Sequence, residues 1–189
     1  MKSKQIKSKQ RVSRYGEVFT AEREVNAMVD FVDSEARNID STFLEPACGN
    51  GNFLIEILRR KLQAVTELYG NSRELFERYA LKAVSTIYGV DIQKDNVIES
   101  RLRLFNYFVL VYRKVFGCVP LKNVMDAVKV ILFYNICSGN TLTYLNSEGL
   151  PLRMPEWTLL ADGSFKVNMF FLENLEPDNS VCFFNWQKA

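Results

Sequence analysis

Histidine is absent from the sequence, and that gap removes several chemistries. Without an imidazole neither a Ser-His-Asp nor a Cys-His arrangement can operate, and no histidine-based metal site can form. Cysteine is scarce and scattered: Cys48, Cys118, Cys137 and Cys182 form no Cys-x-x-Cys pair, so no structural zinc site is expected. Single cysteines at such spacings read as reduced, mostly buried thiols. Long apolar runs are missing too. The longest, around Phe105–Val111, is interrupted by Asn106 and followed by Arg113 and Lys114, too short to span a bilayer. No membrane partner is therefore expected. The Lys/Ser/Gln-rich start of the chain lacks the apolar core of a signal sequence, which makes the cytoplasm the expected location.

What is present suits one globular domain. The chain has 189 residues, 48% of them hydrophobic and 24% charged, enough to bury a core. The formal net charge of +2 conceals an asymmetry. Lys2, Lys4, Lys7, Lys9, Arg11 and Arg14 all fall in residues 1–14, which contain no acid, and the remainder carries a small excess of acid. Residues 1–14 also lack apolar periodicity and are expected to be a disordered basic arm. Such an arm suits nucleic-acid phosphates, and it equally suits a solubilising tail. Residues 15–189 are expected to form a single domain.

Periodicity then orders the chain. Val25, Met28, Val29 and Val32 share a helical face, with Thr20 as the expected N-cap and Glu22 and Glu24 in the first turn. Phe43-Leu44 begins a short buried strand, Cys48-Gly49-Asn50-Gly51 makes a tight turn, and Leu54, Ile55, Ile57, Leu58 and Leu62 recur at helical spacing. Residues 64–84 continue as helix with a break at Gly70-Asn71. A second strand spans 86–92, a long amphipathic helix runs from about 93 to 116 until Gly117–Pro120, and residues 121–133 are helical again. A third strand is expected at Tyr134–Cys137. Beyond Asn140 turn signals dominate, so about 143–189 reads as an irregular, β-rich segment with a hairpin at Asp162-Gly163. The order indicates an α/β fold: a Rossmann-like, doubly wound, mostly parallel sheet with flanking helices.

The sharpest local feature is Phe43-Leu44-Glu45-Pro46-Ala47-Cys48-Gly49-Asn50-Gly51-Asn52-Phe53, set between a strand and a helix. Ligands of open α/β sheets bind at the carboxyl ends of strands, and glycines there let backbone approach a ligand closely. Glu45 at one strand end suits an ammonium group; Asp91 at the next suits ribose hydroxyls. A dinucleotide fingerprint is disfavoured, because Leu54 stands at the third glycine position and Asp91 lies far beyond the usual acid. Cys48 reads as a small packing residue, since no base lies near it in sequence.

The segment Glu45–Leu54 resembles the S-adenosyl-L-methionine-binding motif of N6-adenine-specific DNA methyltransferases of restriction–modification systems, (L/D)-E-P-(A/S)-C-G-x-G-x-F-L. Gly16-Glu17-Val18-Phe19-Thr20 resembles the family's upstream motif, with Ala21 where proline is usual. Tyr88–Ile92 resembles the segment whose acid holds the cofactor ribose, and Asn135–Leu142 the segment meeting the cofactor adenine, with Asn140 in place of the usual Asp. The resemblance implies S-adenosyl-L-methionine as cofactor. It implies binding by Phe19, Thr20, Glu45, Pro46, Ala47, Cys48, Gly49, Gly51, Asn52, Phe53, Asp91, Ile92 and Asn140, with DNA as the partner.

One element of the family is missing. Its catalytic (N/D/S)-P-P-(Y/F/W) tetrapeptide needs adjacent prolines, and Pro46, Pro120, Pro151, Pro155 and Pro177 include no such pair. Asn185-Trp186 offers an amide and an aromatic, although a terminal strand edge is the plainer reading. No catalytic residue is assigned. The expected function is the cofactor-binding portion of a DNA adenine-N6 methyltransferase, truncated or dependent on a second polypeptide for the catalytic motif and target recognition. The alternatives are a non-catalytic S-adenosyl-L-methionine- or DNA-binding accessory protein and an α/β interaction domain without cofactor.

Overall fold

Three short strands lie side by side in parallel: β1 (Phe43–Glu45), β2 (Ile87–Asp91) and β3 (Ile136–Asn140). The structure, a computed structural model, describes residues 5–188; Lys2 and Lys4 of the basic arm fall outside them. A two-residue strand, β4 (Leu145–Asn146), pairs antiparallel with β3 and completes a four-stranded, mostly parallel sheet in the order β1-β2-β3-β4. Parallel neighbours need long crossovers, and each here uses two helices. α4 (Asn52–Tyr69) and α5 (Arg73–Ser85) join β1 to β2; α6 (Lys94–Phe116) and α7 (Lys122–Asn135) join β2 to β3. β2 is buried along its whole length, as a central parallel strand should be. The strand order runs one way without reversing, so the chain is mixed α/β with flanking helices.

The helices follow their apolar spacing. Leu54, Ile57, Leu58, Leu62 and Val65 of α4 are all buried. The expected break at Gly70-Asn71 separates α4 from α5, whose N-cap Ser72 accepts from the Leu75 N–H. Gly117, at φ +70°, ends α6 in the left-handed conformation that glycine adopts without penalty. Phe108 and Tyr112 of α6 are buried in the core, while Phe105 and Tyr107 pack against it half-buried.

Two buried cations fix the approach to β1. Arg60 of α4 donates to Glu56, to Asp33 at 2.5 Å and to Asp30 at 2.6 Å, tying down α2 (Glu22–Asp30) and α3 (Asp33–Arg37). Lys61 donates to the carbonyls of Asn38 and Ser41, each at 2.6 Å, which positions the loop entering β1. Burial pulls its ammonium down to about 7.

Several boundaries differ from expectation. The third strand begins at Ile136, not Tyr134, because α7 continues through Asn135. Ala21, not Thr20, precedes α2, without a side-chain cap; the Thr20 carbonyl instead accepts from Asn52 Nδ2 at 2.8 Å, which holds Thr20 beside α4. Met28 and Val32 are exposed because α2 meets α4 through the narrower pair Val25 and Val29. The segment expected to be β-rich but irregular carries a regular three-stranded antiparallel sheet of β5 (Arg153–Leu159), β6 (Phe165–Phe171) and β7 (Pro177–Phe184), with the Asp162-Gly163 hairpin as expected. It docks through Tyr88 Oη–H to the Pro155 carbonyl at 2.8 Å and Trp157 Nε1–H to Asn135 Oδ1 at 2.7 Å.

The basic arm also departs from disorder. Lys9–Tyr15 forms α1, capped by the Ser8 hydroxyl, which accepts from the Arg11 N–H, and closed by Gly16 at φ +65°. The physical reason is that Lys7 and Arg11 find acids on the body of the protein. No helix among the described residues is long and apolar enough to cross a membrane.

Candidate functional site

The turn between β1 and α4 is held from both sides. The Cys48 N–H donates to the Val90 carbonyl at 2.9 Å, which ties the turn to β2, and the Gly51 N–H closes it onto the Cys48 carbonyl at 2.8 Å. Gly49 and Gly51 have φ of +52° and +87°, the region where L side chains are strained. Arg103 of α6 clamps the far side, donating to the Asn50 carbonyl at 2.6 Å and to Asn52 Oδ1 at 2.8 Å. Cys48 is buried inside the turn, and burial pushes its thiol well above the ordinary range. A small inert packing residue is what that environment makes of it.

Asp91, at the carboxyl end of β2, organises the other wall. Its Oδ2 accepts from the Gly49 N–H at 2.9 Å, and its Oδ1 from the Gln93 N–H at 2.8 Å and Asn96 Nδ2 at 3.1 Å. The glycine turn and the acid on the neighbouring strand are therefore one hydrogen-bonded unit. Glu45 accepts only from the Ala47 N–H, at 3.3 Å, and forms no ion pair among the described residues. The third wall is the loop after β3. Thr141 Oγ1 donates to the Pro46 carbonyl at 3.1 Å, and Asn140 Oδ1 accepts from the Leu142 N–H at 2.9 Å. That contact leaves the Asn140 amide nitrogen free to donate.

These walls enclose an open cavity of about 570 Å³, within the size range of small-molecule sites. Phe19, Thr20, Glu45, Pro46, Ala47, Cys48, Gly49, Asn52, Phe53, Asp91, Ile92 and Asn140 all line it. Gly51 does not: it faces away, where a Cβ would meet Ser100 Oγ at 2.5 Å, so its requirement is close packing of α4 on α6. Sequence reasoning missed Tyr15, Glu17, Gln93, Thr141 and Leu142, which also line the cavity. Glu17 lies within the quoted Gly16–Thr20, and Thr141 and Leu142 within the quoted Asn135–Leu142, without having been assigned a contact; Tyr15 and Gln93 had only the neighbourhood of Gly16 and Ile92 as a signal. Asn185 and Trp186 lie elsewhere; Trp186 is buried with its indole N–H on the Gly163 carbonyl at 2.9 Å.

The N-terminal segment forms the roof. The Phe19 ring lies against Gly49, and its backbone N–H donates to the Gln5 carbonyl at 2.7 Å. Arg11 bridges Glu17 and Asp95, while Lys7 bridges Asp95 at 3.0 Å and Glu99 at 2.7 Å. The hydrogen bond from Arg11, joined by that from Lys7, holds the Asp95 carboxyl well below its usual range. Burial works against ionisation of Glu99, yet Lys7 and Asn50 still hold it low. Carboxyls held low contribute stability that is complete above their ordinary values of 3.8 and 4.5 and is lost progressively as pH falls from there toward their lowered values in the fold. The amide resonances of α1 are therefore expected to begin shifting toward random-coil positions as pH falls below about 4 and to go on shifting below about pH 3, while those of β2 persist. An α1 whose resonances hold still from neutral pH down to about pH 2 would show that these pairs do not hold it.

The site therefore defines an α/β chain with an open cavity at the carboxyl ends of three adjacent parallel strands. Comparison with protein-family models, with curated proteins and with solved structures gave no match. Among the described residues no group of three or more metal-ligating side chains is placed to hold an ion.

Proposed function

We propose that this chain binds S-adenosyl-L-methionine as the cofactor-binding portion of a cytoplasmic DNA adenine-N6 methyltransferase of a restriction–modification system. The observation that carries the reading is the joining of the Glu45–Phe53 turn and Asp91 around one cavity by the Gly49 N–H to Asp91 bond. In this reading Glu45 receives the cofactor ammonium, Asp91 the ribose hydroxyls, and Phe19 and Thr20 cover the methionine end. The Asn140 amide meets the adenine edge, flanked by the aliphatic side chains of Ile92 and Leu142; Leu142 is 90% exposed at the rim. The bound cofactor would supply an electrophilic methyl group. The chain's own residues bind and orient it, and none is assigned to hold a flipped adenine.

The sheet fits a need for another polypeptide. β1 sits at the sheet edge with Leu44 44% exposed, whereas parallel strands are normally covered. In this reading β1-β2-β3 is one half of a doubly wound, Rossmann-like sheet. The lack of adjacent prolines favours one further reading, an accessory module that binds cofactor or DNA without methyl transfer.

Calorimetric titration with S-adenosylhomocysteine tests the cofactor assignment. Binding should stabilise the fold by about 2.7 kcal/mol at a ligand concentration near 100 times Kd. No heat and no thermal shift would remove both cofactor readings and leave a DNA-binding accessory or an interaction domain. Transfer of tritiated methyl groups to adenine-containing DNA by this chain alone is expected to be nil, and robust transfer would overturn the dependence on a partner.

A further inference from the structure

Glu17 is an unusual roof residue: its side chain is only 8% exposed, and its Oε1 has no hydrogen-bond partner. Its Oε2 accepts from Arg11 Nε at 3.0 Å and from Asn96 Nδ2 at 2.9 Å. The same Asn96 nitrogen donates to Asp91 Oδ1 at 3.1 Å, and Asp91 Oδ2 holds the Gly49 N–H. A continuous line of polar contacts thus runs from the basic arm through Glu17, Asn96 and Asp91 into the glycine turn. A parallel line starts at Lys7, passes Glu99 and reaches Asn50 of that turn, 3.2 Å from the Glu99 carboxylate.

A buried carboxylate without a counter-charge is strongly unfavourable. Arg11 is the one cation paired with Glu17 among the described residues. Asn96 is itself buried, so it cannot turn to water if Glu17 shifts. Lys7 and Arg11, two of the bases that composition marks as a free arm, are thus committed to the body of the protein, and their contacts end at the cavity wall.

We propose that the arm is a positioning element of the cavity: Arg11, acting through Glu17 and Asn96, holds Asp91 and the Gly49 amide in the arrangement a ligand meets. Neither Arg11 nor Asn96 lines the cavity, so both act through their neighbours. The consequence for affinity rests on the S-adenosyl-L-methionine reading; the consequence for the turn does not.

Hydrogen exchange read by mass spectrometry on the full chain separates the two. In Arg11→Ala, peptides covering residues 47–53 and 91–97 are expected to exchange roughly fivefold faster or more, with α5 unchanged. Arg11→Lys should restore protection in part. Lys9→Ala removes the same charge from an exposed position and should leave the turn as it was. Wild-type protein in about 0.5 M salt should lose protection in the same peptides only slightly. The exposed Asp95 contacts are screened there, while the Arg11–Glu17 pair, with Glu17 buried, is screened far less. Arg11→Lys, which keeps the charge but loses the paired Nε and Nη2 donors to Glu17, decides the matter should Arg11→Ala fail to fold: partial loosening of residues 47–53 supports the proposal, and wild-type exchange there overturns it. Unchanged exchange of residues 47–53 in Arg11→Ala, or equal loosening by Lys9→Ala, overturns the proposal. S-adenosylhomocysteine affinity should fall about tenfold in Arg11→Ala. A wild-type protein that binds none of it removes the cofactor reading, while the exchange data still decide the role of the arm.

Discussion

Gly51→Ala is expected to destabilise the protein by about 3 kcal/mol, although Gly51 does not touch the cavity. Two separate effects add. At φ +87° a Cβ clashes with the backbone, which costs roughly 1–2 kcal/mol. The same Cβ would stand 2.5 Å from Ser100 Oγ and 3.1 Å from Ser100 Cβ, and overpacking of that kind adds roughly 1–3 kcal/mol. Ser100 is fully buried on α6, so it cannot swing into solvent. Urea unfolding should show a lower midpoint with an unchanged slope. Ser100→Gly in the same background should recover the steric share and leave the backbone share. Gly16→Ala calibrates the latter, because Gly16 has φ +65° with nothing within 4 Å of the added carbon. A loss of under about 1 kcal/mol for Gly51→Ala would mean that the α4–α6 approach is adjustable and that the turn is not held by packing.

The result bears on what the sequence could reveal. The turn was legible because Gly49 and Gly51 stand between a short apolar run and a helical one, and those residue types report a backbone requirement. Which glycine serves the ligand and which serves packing was not legible, since the neighbour of Gly51 is Ser100, on another helix. The arm shows the same limit more sharply. A run of bases without acids reads as disordered while only neighbours in sequence are considered, but Arg11 meets Asp95, 84 positions away. Long-range charge pairing of this kind leaves no periodic trace. Strand ends were blurred for a related reason: Phe133 and Tyr134 have strand propensity, yet the turns of α7 continue through them to Asn135, whose amide donates to the carbonyls of Ser85 and Ile87. The β5–β7 sheet was seen only at its hairpin, where Asp162-Gly163 supplies a local signal. β7 pairs with β6 across the less regular turn near Leu175, and in sequence only its end, the apolar run Val181–Phe184, suggests a strand.

Asp91→Asn should separate the acid's work in the fold from its work toward a ligand. All three protein partners of Asp91 are donors: the N–H groups of Gly49 and Gln93 and the amide of Asn96. An asparagine at this position keeps the shape but must turn its own NH2 toward at least one of them. The arrangement that sacrifices least faces the NH2 toward Gly49, keeping the two contacts at the other oxygen. The Gly49 N–H then loses its acceptor, at roughly 1–3 kcal/mol, and the turn loosens where it borders the cavity. Asp91→Ala removes all three acceptor contacts and should destabilise further. In the cofactor reading both variants also lose the charged acceptor for ribose hydroxyls, so S-adenosylhomocysteine affinity should fall roughly 10- to 100-fold. Glu45→Ala is the complementary probe. Glu45 gives the fold only a long contact with the Ala47 N–H, so its loss should scarcely alter the unfolding midpoint while still weakening a ligand that carries an ammonium group. A midpoint lowered in Asp91→Asn and unchanged in Glu45→Ala, with affinity lowered in both, is the pattern expected. Wild-type affinity in both variants would place the ligand away from the two strand ends that the glycine turn joins.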